Sequence, residues 1–482
     1  MITRTSKGKF HLNSGYYVLV TILLLAQKLL GHTNYIMLLL VIASAFFLVL
    51  RRATPLDICM IGLILPGEIW VLSMLILSII FMRLKGTYWK IPNCPGTVKV
   101  CLLVILALAV GNAIYTGGVF NTIFYIVYLL LLFFLVLVLH PTVEQHSFYR
   151  ICLKLCWIQI ILSILEVFKS GQLKPGDNYS GSLGDAHEFG IWLLFMITFM
   201  LYQLKKGSNK CLNLCTLLGC LFALYLSDAK HVLLAYILGA ILYLFVKGIK
   251  IKSHMISGMI IFAIISLYIG TFSLQIPIIK QYVSQKAGVY SVYLYDSNYN
   301  YKYNYFFGTL SEEMRGLRLF VGYGLGQYGS RGANLFAYDI MYRNDNALNR
   351  FIATHFSPVH IDNYKKYAEI YTTELVNSIR WRSAVLTYPF NSFLAFMAEN
   401  GLIGMICWGV LINKFFRRSN YKLLLCFFIM VCLFDLYIDR INIIGTLIVL
   451  LFVGKEASYE ENSFYHALPA CRRSGGRYST SG

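Results

Sequence analysis

The sequence predicts an all-α, polytopic helical membrane protein with about 12–14 transmembrane spans and one large extracytoplasmic loop. Three observations lead there. Of 482 residues, 58% are hydrophobic and only 13% charged, whereas soluble domains carry about 25% charged and roughly 45–50% apolar residues. Apolar runs of about 15–25 residues recur along the chain, with only 10 prolines in total. Lysines and arginines gather in the short segments between the runs. This composition excludes a soluble enzyme, a disordered chain and a secreted disulfide scaffold. A membrane β-barrel is excluded too, because it would show alternating segments of about ten residues.

The elements follow in order. Arg4, Lys7 and Lys9 precede an apolar run from Tyr16 to Leu30, and a second run from Asn34 to Leu50 comes at once. No small-residue cleavage site separates them, so the first run is expected to be a retained span rather than a signal peptide. The stretch 56–82 is interrupted by Leu65-Pro66-Gly67-Glu68. Proline removes a helix donor and a charge at mid-depth is costly, which favours a hairpin over one kinked crossing. Further spans are expected near 97–115, 118–139, 150–168, 188–204, 211–227, 231–247, 254–275, 389–412, 421–437 and 440–453.

The basic segments set the orientation. Arg51-Arg52, the 83–99 segment, Lys205-Lys206-Lys210, Lys247-Lys250-Lys252 and Lys414-Arg417-Arg418-Lys422 belong on the cytoplasmic side by the positive-inside rule. The segments 116–117, 169–187, 228–230, 276–388 and 438–439 then fall outside, and both termini fall inside. The expected organisation is a membrane domain over 1–275 (the first ten or so spans), an extracytoplasmic catalytic loop over 276–388, C-terminal spans over 389–455 and a cytoplasmic tail over 456–482. The net charge of +20 is absorbed by this loop bias, so no nucleic-acid partner is expected. The pairs Cys152/Cys156 and Cys211/Cys215 have helical spacing and no histidine or carboxylate nearby, which fits packing better than metal ligation.

The exported loop is where chemistry is expected. Loops longer than about 12–15 residues are usually functional or disordered, and fifteen tyrosines between Tyr282 and Tyr371 argue against disorder. Amphipathic rings suit a sugar-binding surface or an interfacial aromatic belt. Arg315, Arg318, Arg331, Arg343, Arg350, Arg380 and Arg382 lie in the same loop. Arginine offers a planar fork to phosphate oxygens, although such a cluster also fits contact with lipid headgroups. Val321-Gly-Tyr-Gly-Leu-Gly-Gln-Tyr328 is glycine-rich but matches neither a Walker loop nor a Rossmann fingerprint. Glu166, Lys169, Lys174, Asp177, Asp185, His187, Glu188, Asp228, Lys230 and His231 cluster at the outer ends of spans. Secondary transporters place such residues near the bilayer midplane, so this distribution favours an interfacial reaction centre over a conduction path.

Several of these stretches resemble the O-antigen polymerase and ligase proteins of bacterial envelopes (the Wzy-like family). Phe390-Asn391, nine residues, then Gly401-Leu-Ile-Gly404 is similar in spacing to that family's His-Asn-x9-Gly-x2-Gly signature. Arg315, ten residues, then Gly326, with Leu319-Phe-Val-Gly-Tyr-Gly-Leu-Gly326, is similar to a second family stretch. Ser227-Asp-Ala-Lys230 resembles a third, and Tyr179–Phe189 a family loop, so that the resemblance spans about residues 100–455. Two departures matter. Phe390 stands where ligases carry histidine, and Lys230 where an arginine is usual.

The resemblance implies a polymerase of undecaprenyl-diphosphate-linked oligosaccharide repeat units for O-antigen, capsule or exopolysaccharide. It would be a glycosyltransferase without cofactor in the bacterial plasma membrane, with flippase and chain-length regulator proteins as pathway partners; the outer segments carry no acidic cluster of the Asp-x-Asp kind, so a metal-independent reaction is expected. Arg315 and Lys230 are the leading catalytic candidates, as cations for the diphosphate leaving group. His355, His360, Glu312, His187 and Asp185 compete as general base. Arg318, Arg331, Tyr323, Gly324, Gly326, Asn391 and Asp185 are the expected substrate-binding residues. The alternatives are an O-antigen ligase, which Phe390 disfavours, and a flippase or exporter of the same lipid-linked sugar.

Overall fold

A computed structural model describes residues 9–31, 33–84, 96–139, 145–207, 209–246, 308–330, 359, 362, 366, 392–418, 421–434 and 436–451. The expected span at 254–275, and with it His355, His360, Arg331, Phe390 and Asn391, lies outside the described residues. What is described is helical, and no strand occurs among the described residues.

Ten helices precede residue 247: α1 Lys9–Leu30, α2 Thr33–Val49, α3 Pro55–Gly62, α4 Glu68–Leu84, α5 Gly96–Thr116, α6 Val119–Leu139, α7 Gln145–Ser170, α8 Ala186–Lys205, α9 Lys210–Leu226 and α10 Lys230–Val246. A π-helical turn Thr309–Glu313 and a short helix α11, Leu317–Val321, come next. Helices α12 Ser392–Arg418, α13 Lys422–Phe434 and α14 Ile441–Leu451 complete the described chain. Among the described residues, four helical stretches are long and apolar enough to cross a membrane: Gly96–Thr116, Ser147–Ser170, Ala186–Lys205 and Ser392–Asn413. Seven shorter apolar helices of 10–17 residues accompany them.

The stretch 56–82 folds as two helices packed antiparallel. Thr54 and Asp57 form a reciprocal capping box that starts α3 with Pro55 at its first position. The turn through Pro66-Gly67 then reverses the chain. Ser78 Oγ donates back to the Pro55 carbonyl at 3.3 Å, and a Cβ on Gly62 would lie 2.7 Å from Met74 Cβ.

Helix α8 is the centre of the bundle, with residues 188–200 all buried. Its Asp185 N-cap accepts the amides of His187 and Glu188, each at 2.9 Å, satisfying donors that a helix start leaves without intrahelical partners. Around it Phe148, Phe195, Phe199, Tyr421 and Phe427 interlock edge to face or tilted. Helices α10 and α13 approach closely because Gly239 lacks a side chain: a Cβ there would meet the Phe427 backbone at 2.5 Å. Cys152 and Cys156 are buried in α7, whereas Cys211 and Cys215, expected to pack, are exposed on α9.

The segments between helices gather at one end. Lys28, at the end of α1, meets Glu166 and Ser180, and Gly176 bonds the Leu226 carbonyl at 3.0 Å. Ser182 reaches the Ile64 carbonyl, and Gln327 the Gly118 carbonyl at 2.9 Å. Ser392 Oγ accepts the amides of Tyr437 and Ile438 at 2.6 and 3.1 Å. Apart from the α1–α2 and α3–α4 turns, these junctions are ones the charge bias assigns to a common side. At the other end Tyr149 donates to Asn213 and the Tyr202 and Tyr421 rings meet at 4.9 Å.

Candidate functional site

The polar segment 308–330 rests on a broken helix. At Gly401 the backbone takes φ 61°, ψ −178° inside α12, a conformation essentially restricted to glycine. The break frees the carbonyls of Ala398 and Glu399. Within a membrane each unsatisfied backbone group costs several kcal/mol, and here both are satisfied from outside the helix. The Tyr323 amide donates to Ala398 O at 2.8 Å and the Gly324 amide to Glu399 O at 2.9 Å. The approach is so close that a Cβ on Gly401 would overlap the Phe320 carbonyl oxygen and lie 2.5 Å from the Gly322 nitrogen.

The side chain of Glu399, only 2% exposed, makes the second attachment. Its Oε2 accepts the Gly326 amide at 2.9 Å, and its Oε1 accepts those of Tyr328 at 2.9 Å and Ser330 at 3.2 Å. Successive glycines at positive φ turn these amides inward, with Gly322 at 69°, Gly324 at 103°, Gly326 at 74° and Gly329 at 76°. Such a run of amides forms an anion-binding concavity, and its anion is the protein's own carboxylate. Gly324 and Gly326, two of the expected substrate-binding residues, give their amides to the Glu399 carbonyl and carboxylate, respectively. Asn112, Asn121 and Thr122 complete the cradle by donating to the carbonyls of Val321, Gly326 and Leu325 at 2.9, 3.0 and 2.9 Å.

This platform presents a polar cluster. The Tyr328 ring stacks on Tyr323 at 5.1 Å, and its hydroxyl pairs with Thr309 Oγ1 at 2.7 Å. Tyr323 donates its hydroxyl to Glu313 Oε2 at 2.9 Å; burial and this carboxylate together push its phenol well above the usual range. The Arg318 guanidinium lies 4.5 Å from the Tyr323 ring and 5.0 Å from the Tyr115 ring, and donates to the Gly322 carbonyl at 3.2 Å. Lys366 bridges Glu312 at 2.7 Å and Glu313 at 2.8 Å. Its hydrogen bond and charge, with a smaller contribution from Arg315, hold the Glu312 carboxyl below its ordinary range. Arg315 itself is exposed beside this group.

The remaining candidates collect where α8 and α10 begin. Lys230, 74% exposed, pairs with Asp228 at 2.9 Å. The rings of His187 and His231 meet edge to face at 4.2 Å, and His187 Nδ1 is buried with no hydrogen-bond partner among the described residues. Asp185 is committed to capping α8. Thus Arg315, Arg318, Tyr323 and Glu312 share one cluster, while Lys230, His187 and Asp185 share another.

Three participants escape the sequence reading. Glu399 anchors the first cluster. Arg440 pairs with the buried Glu188 at 2.8 Å beside the second, and Lys28 holds Glu166 at 2.6 Å. One signal was present for Glu399: it is the lone charged residue in the apolar run from Ser392 to Asn413, and an ionisable residue inside a span is by default a functional hypothesis. No known protein family, curated protein or solved structure matches the chain.

Proposed function

We propose that the chain polymerises lipid-linked oligosaccharide repeat units at the outer face of a bacterial plasma membrane. It would transfer the growing glycan from its undecaprenyl diphosphate carrier to a new unit. The observation that carries this is the anchored cluster of Arg315, Arg318, Tyr323 and Glu312–Glu313 at the end of an apolar helical bundle. A prenyl tail can lie among the helices while the diphosphate and sugars meet this polar surface. The expected resemblance to envelope polymerases, with Phe390 in place of the ligase histidine, points the same way.

In the reaction the acceptor hydroxyl attacks the anomeric carbon of the donor. The carbon–oxygen bond to the diphosphate breaks, and the lipid diphosphate leaves with the electron pair. Arg315 and Arg318 stabilise the charge that develops on it, and cations fixed in advance do so without reorganisation. The hydroxyl proton passes to a base, for which His187, His355 and His360 are the imidazole candidates. Base assistance is worth about 10²–10⁴-fold, so transfer to an activated glycosyl diphosphate tolerates a weak base.

The orientation belongs to the same proposal. With α3 and α4 as a hairpin, the basic segments alternate from the first span onward and keep Arg4, Lys7 and Lys9 on the cytoplasmic side. Reporter fusions after Asn349 and after Gly482 should read exported and cytoplasmic, respectively.

One observation favours an exporter as the second reading. Asp57, 2% exposed, accepts the Tyr17 hydroxyl at 2.7 Å, and Lys154 lies 4.2 Å from the Tyr17 ring, a buried ionisable group separate from the contacts of the candidate cluster. Ionisable residues inside a bundle commonly mark a transport path. Reconstitution separates the two. In liposomes supplied with lipid-linked repeat units, a polymerase yields a ladder of lengths, whereas an exporter moves the units across without lengthening them.

A further inference from the structure

Both carboxylate oxygens of Glu399 are engaged by backbone amides, two on Oε1 and one on Oε2, and the side chain is buried. A general base needs an open lone pair within reach of substrate, so a proton-transfer role does not suit it. Its contacts lead elsewhere. The amide of Tyr328 binds Glu399, the Tyr328 ring stacks on Tyr323, the Tyr323 hydroxyl holds Glu313, and the Tyr323 face supports Arg318. Arg318 is also fixed by the Gly322 carbonyl, one residue before the Tyr323 amide that caps the broken helix. A guanidinium has five N–H donors, and a single protein hydrogen bond engages it among the described residues. Its plane is held while most of its donor edge is left for an anion.

We propose that Glu399 is a positioning residue: by filling the amide concavity of Gly326, Tyr328 and Ser330 it sets Arg318, held against the Tyr323 ring, to receive the diphosphate of a lipid-linked substrate. This rests on the function proposed above. The requirement is for a charged acceptor with two oxygens at that depth. In Glu399→Gln one oxygen becomes an NH₂ group facing an amide donor, so the shape is kept and at least one attachment is lost. In Glu399→Asp the carboxylate withdraws by one methylene and no longer reaches all three amides.

The test uses the detergent-purified full chain and two probes, farnesyl diphosphate and inorganic pyrophosphate. Hydrogen exchange over residues 322–330 and affinity for each probe are measured for the native protein, Glu399→Gln, Glu399→Asp and Arg318→Ala. In Glu399→Gln the amides of Gly326, Tyr328 and Ser330 should exchange about tenfold faster or more, as expected when a hydrogen bond to a charged group is lost. The affinity of the folded fraction for farnesyl diphosphate should fall about 2–30-fold, the range for residues that act through others. A purely structural fault would reduce the amount of folded protein and leave the affinity of that fraction unchanged. If Glu399→Gln does not insert, Glu399→Asp carries the same comparison. Unchanged exchange, or unchanged affinity in a folded variant, overturns the proposal. Equal affinity for both probes in the native protein overturns the lipid-linked source. A native chain that binds farnesyl diphosphate, and loses that binding in Glu399→Gln, supports this proposal even if it makes no polymer; only the proposed function then fails.

Discussion

Removing Glu166 should cost about 3 kcal/mol of stability, and removing its partner with it should add nothing to that loss and reduce it to about 2 kcal/mol. Glu166 Oε1 accepts Lys28 Nζ at 2.6 Å and the Ser180 amide at 3.4 Å, and Oε2 accepts the Gly181 amide at 3.2 Å. Lys28, 15% exposed, also donates to Ser180 Oγ at 3.0 Å. Breaking a buried pair by deleting one member typically costs ~3–5 kcal/mol. The surviving Ser180 hydroxyl and the partial exposure of Lys28 place Glu166→Leu at the low end. Lys28→Met leaves the carboxylate two amide donors and should cost about 2 kcal/mol, near the value of a hydrogen bond to a charged group. In Lys28→Met/Glu166→Leu neither charge remains, and apolar replacement of a buried pair is often neutral. The double variant should therefore lose no more than about 2 kcal/mol, giving a coupling of about 3 kcal/mol. Unfolding in mixed detergent micelles measures all three variants. A double variant that loses the full sum of about 5 kcal/mol would show that the two residues act independently and refute the argument.

Further outcomes follow from the two clusters and the broken helix. Arg315→Ala should abolish polymer while the protein stays inserted, and Arg315→Lys should restore it only partly, because a point charge lacks the planar two-bond fork; Lys230→Arg should be tolerated better than Lys230→Ala. Normal polymer lengths from Arg315→Ala would place the site elsewhere. Gly401→Ala should cost about 2–5 kcal/mol through backbone strain and overlap with the Phe320 carbonyl. Gly404→Ala, whose Cβ would crowd Asn400 Cβ at 2.7 Å but on a backbone without positive φ, should cost less, and equal folded yields in fluorescence-detected chromatography would contradict this. The Glu312 carboxyl is held below its ordinary range by Lys366, so its contact is present above the unfolded pKa and is lost as pH falls through the depressed folded value. Carboxyl ¹³C titration should show Glu312 ionising below an ordinary exposed glutamate. Lys366→Met should raise it towards that range, and no change on that substitution would remove Lys366 as the cause.

How much of this could be read in advance depended on range. Among the described residues the helices cover the apolar runs, because the apolar run is itself the local signal of a span. Pro66-Gly67-Glu68 marked the hairpin because each residue locally disfavours a buried helix. Asp185 was conspicuous as a polar residue before an apolar run, but its role as a cap belongs to backbone donors that composition does not display. The segment Val321–Tyr328 is conspicuous for its glycines, but its spacing matches neither phosphate-binding fingerprint and names no partner. Its partner is Glu399, 73 residues from Gly326, so the anion in the concavity could not be named from spacing. The same holds for Lys28 and Glu166, 138 residues apart. Periodicity places a residue on a face; it does not say which charges from distant helices meet.

The central claim, that this chain lengthens lipid-linked glycans, is tested most directly by deleting its gene in the host and displaying the surface glycan as a ladder. The account predicts loss of every length above one repeat unit, restored by the native chain and not by Arg315→Ala. Long polymer retained on its lipid carrier, or a ladder unchanged by the deletion, would contradict it.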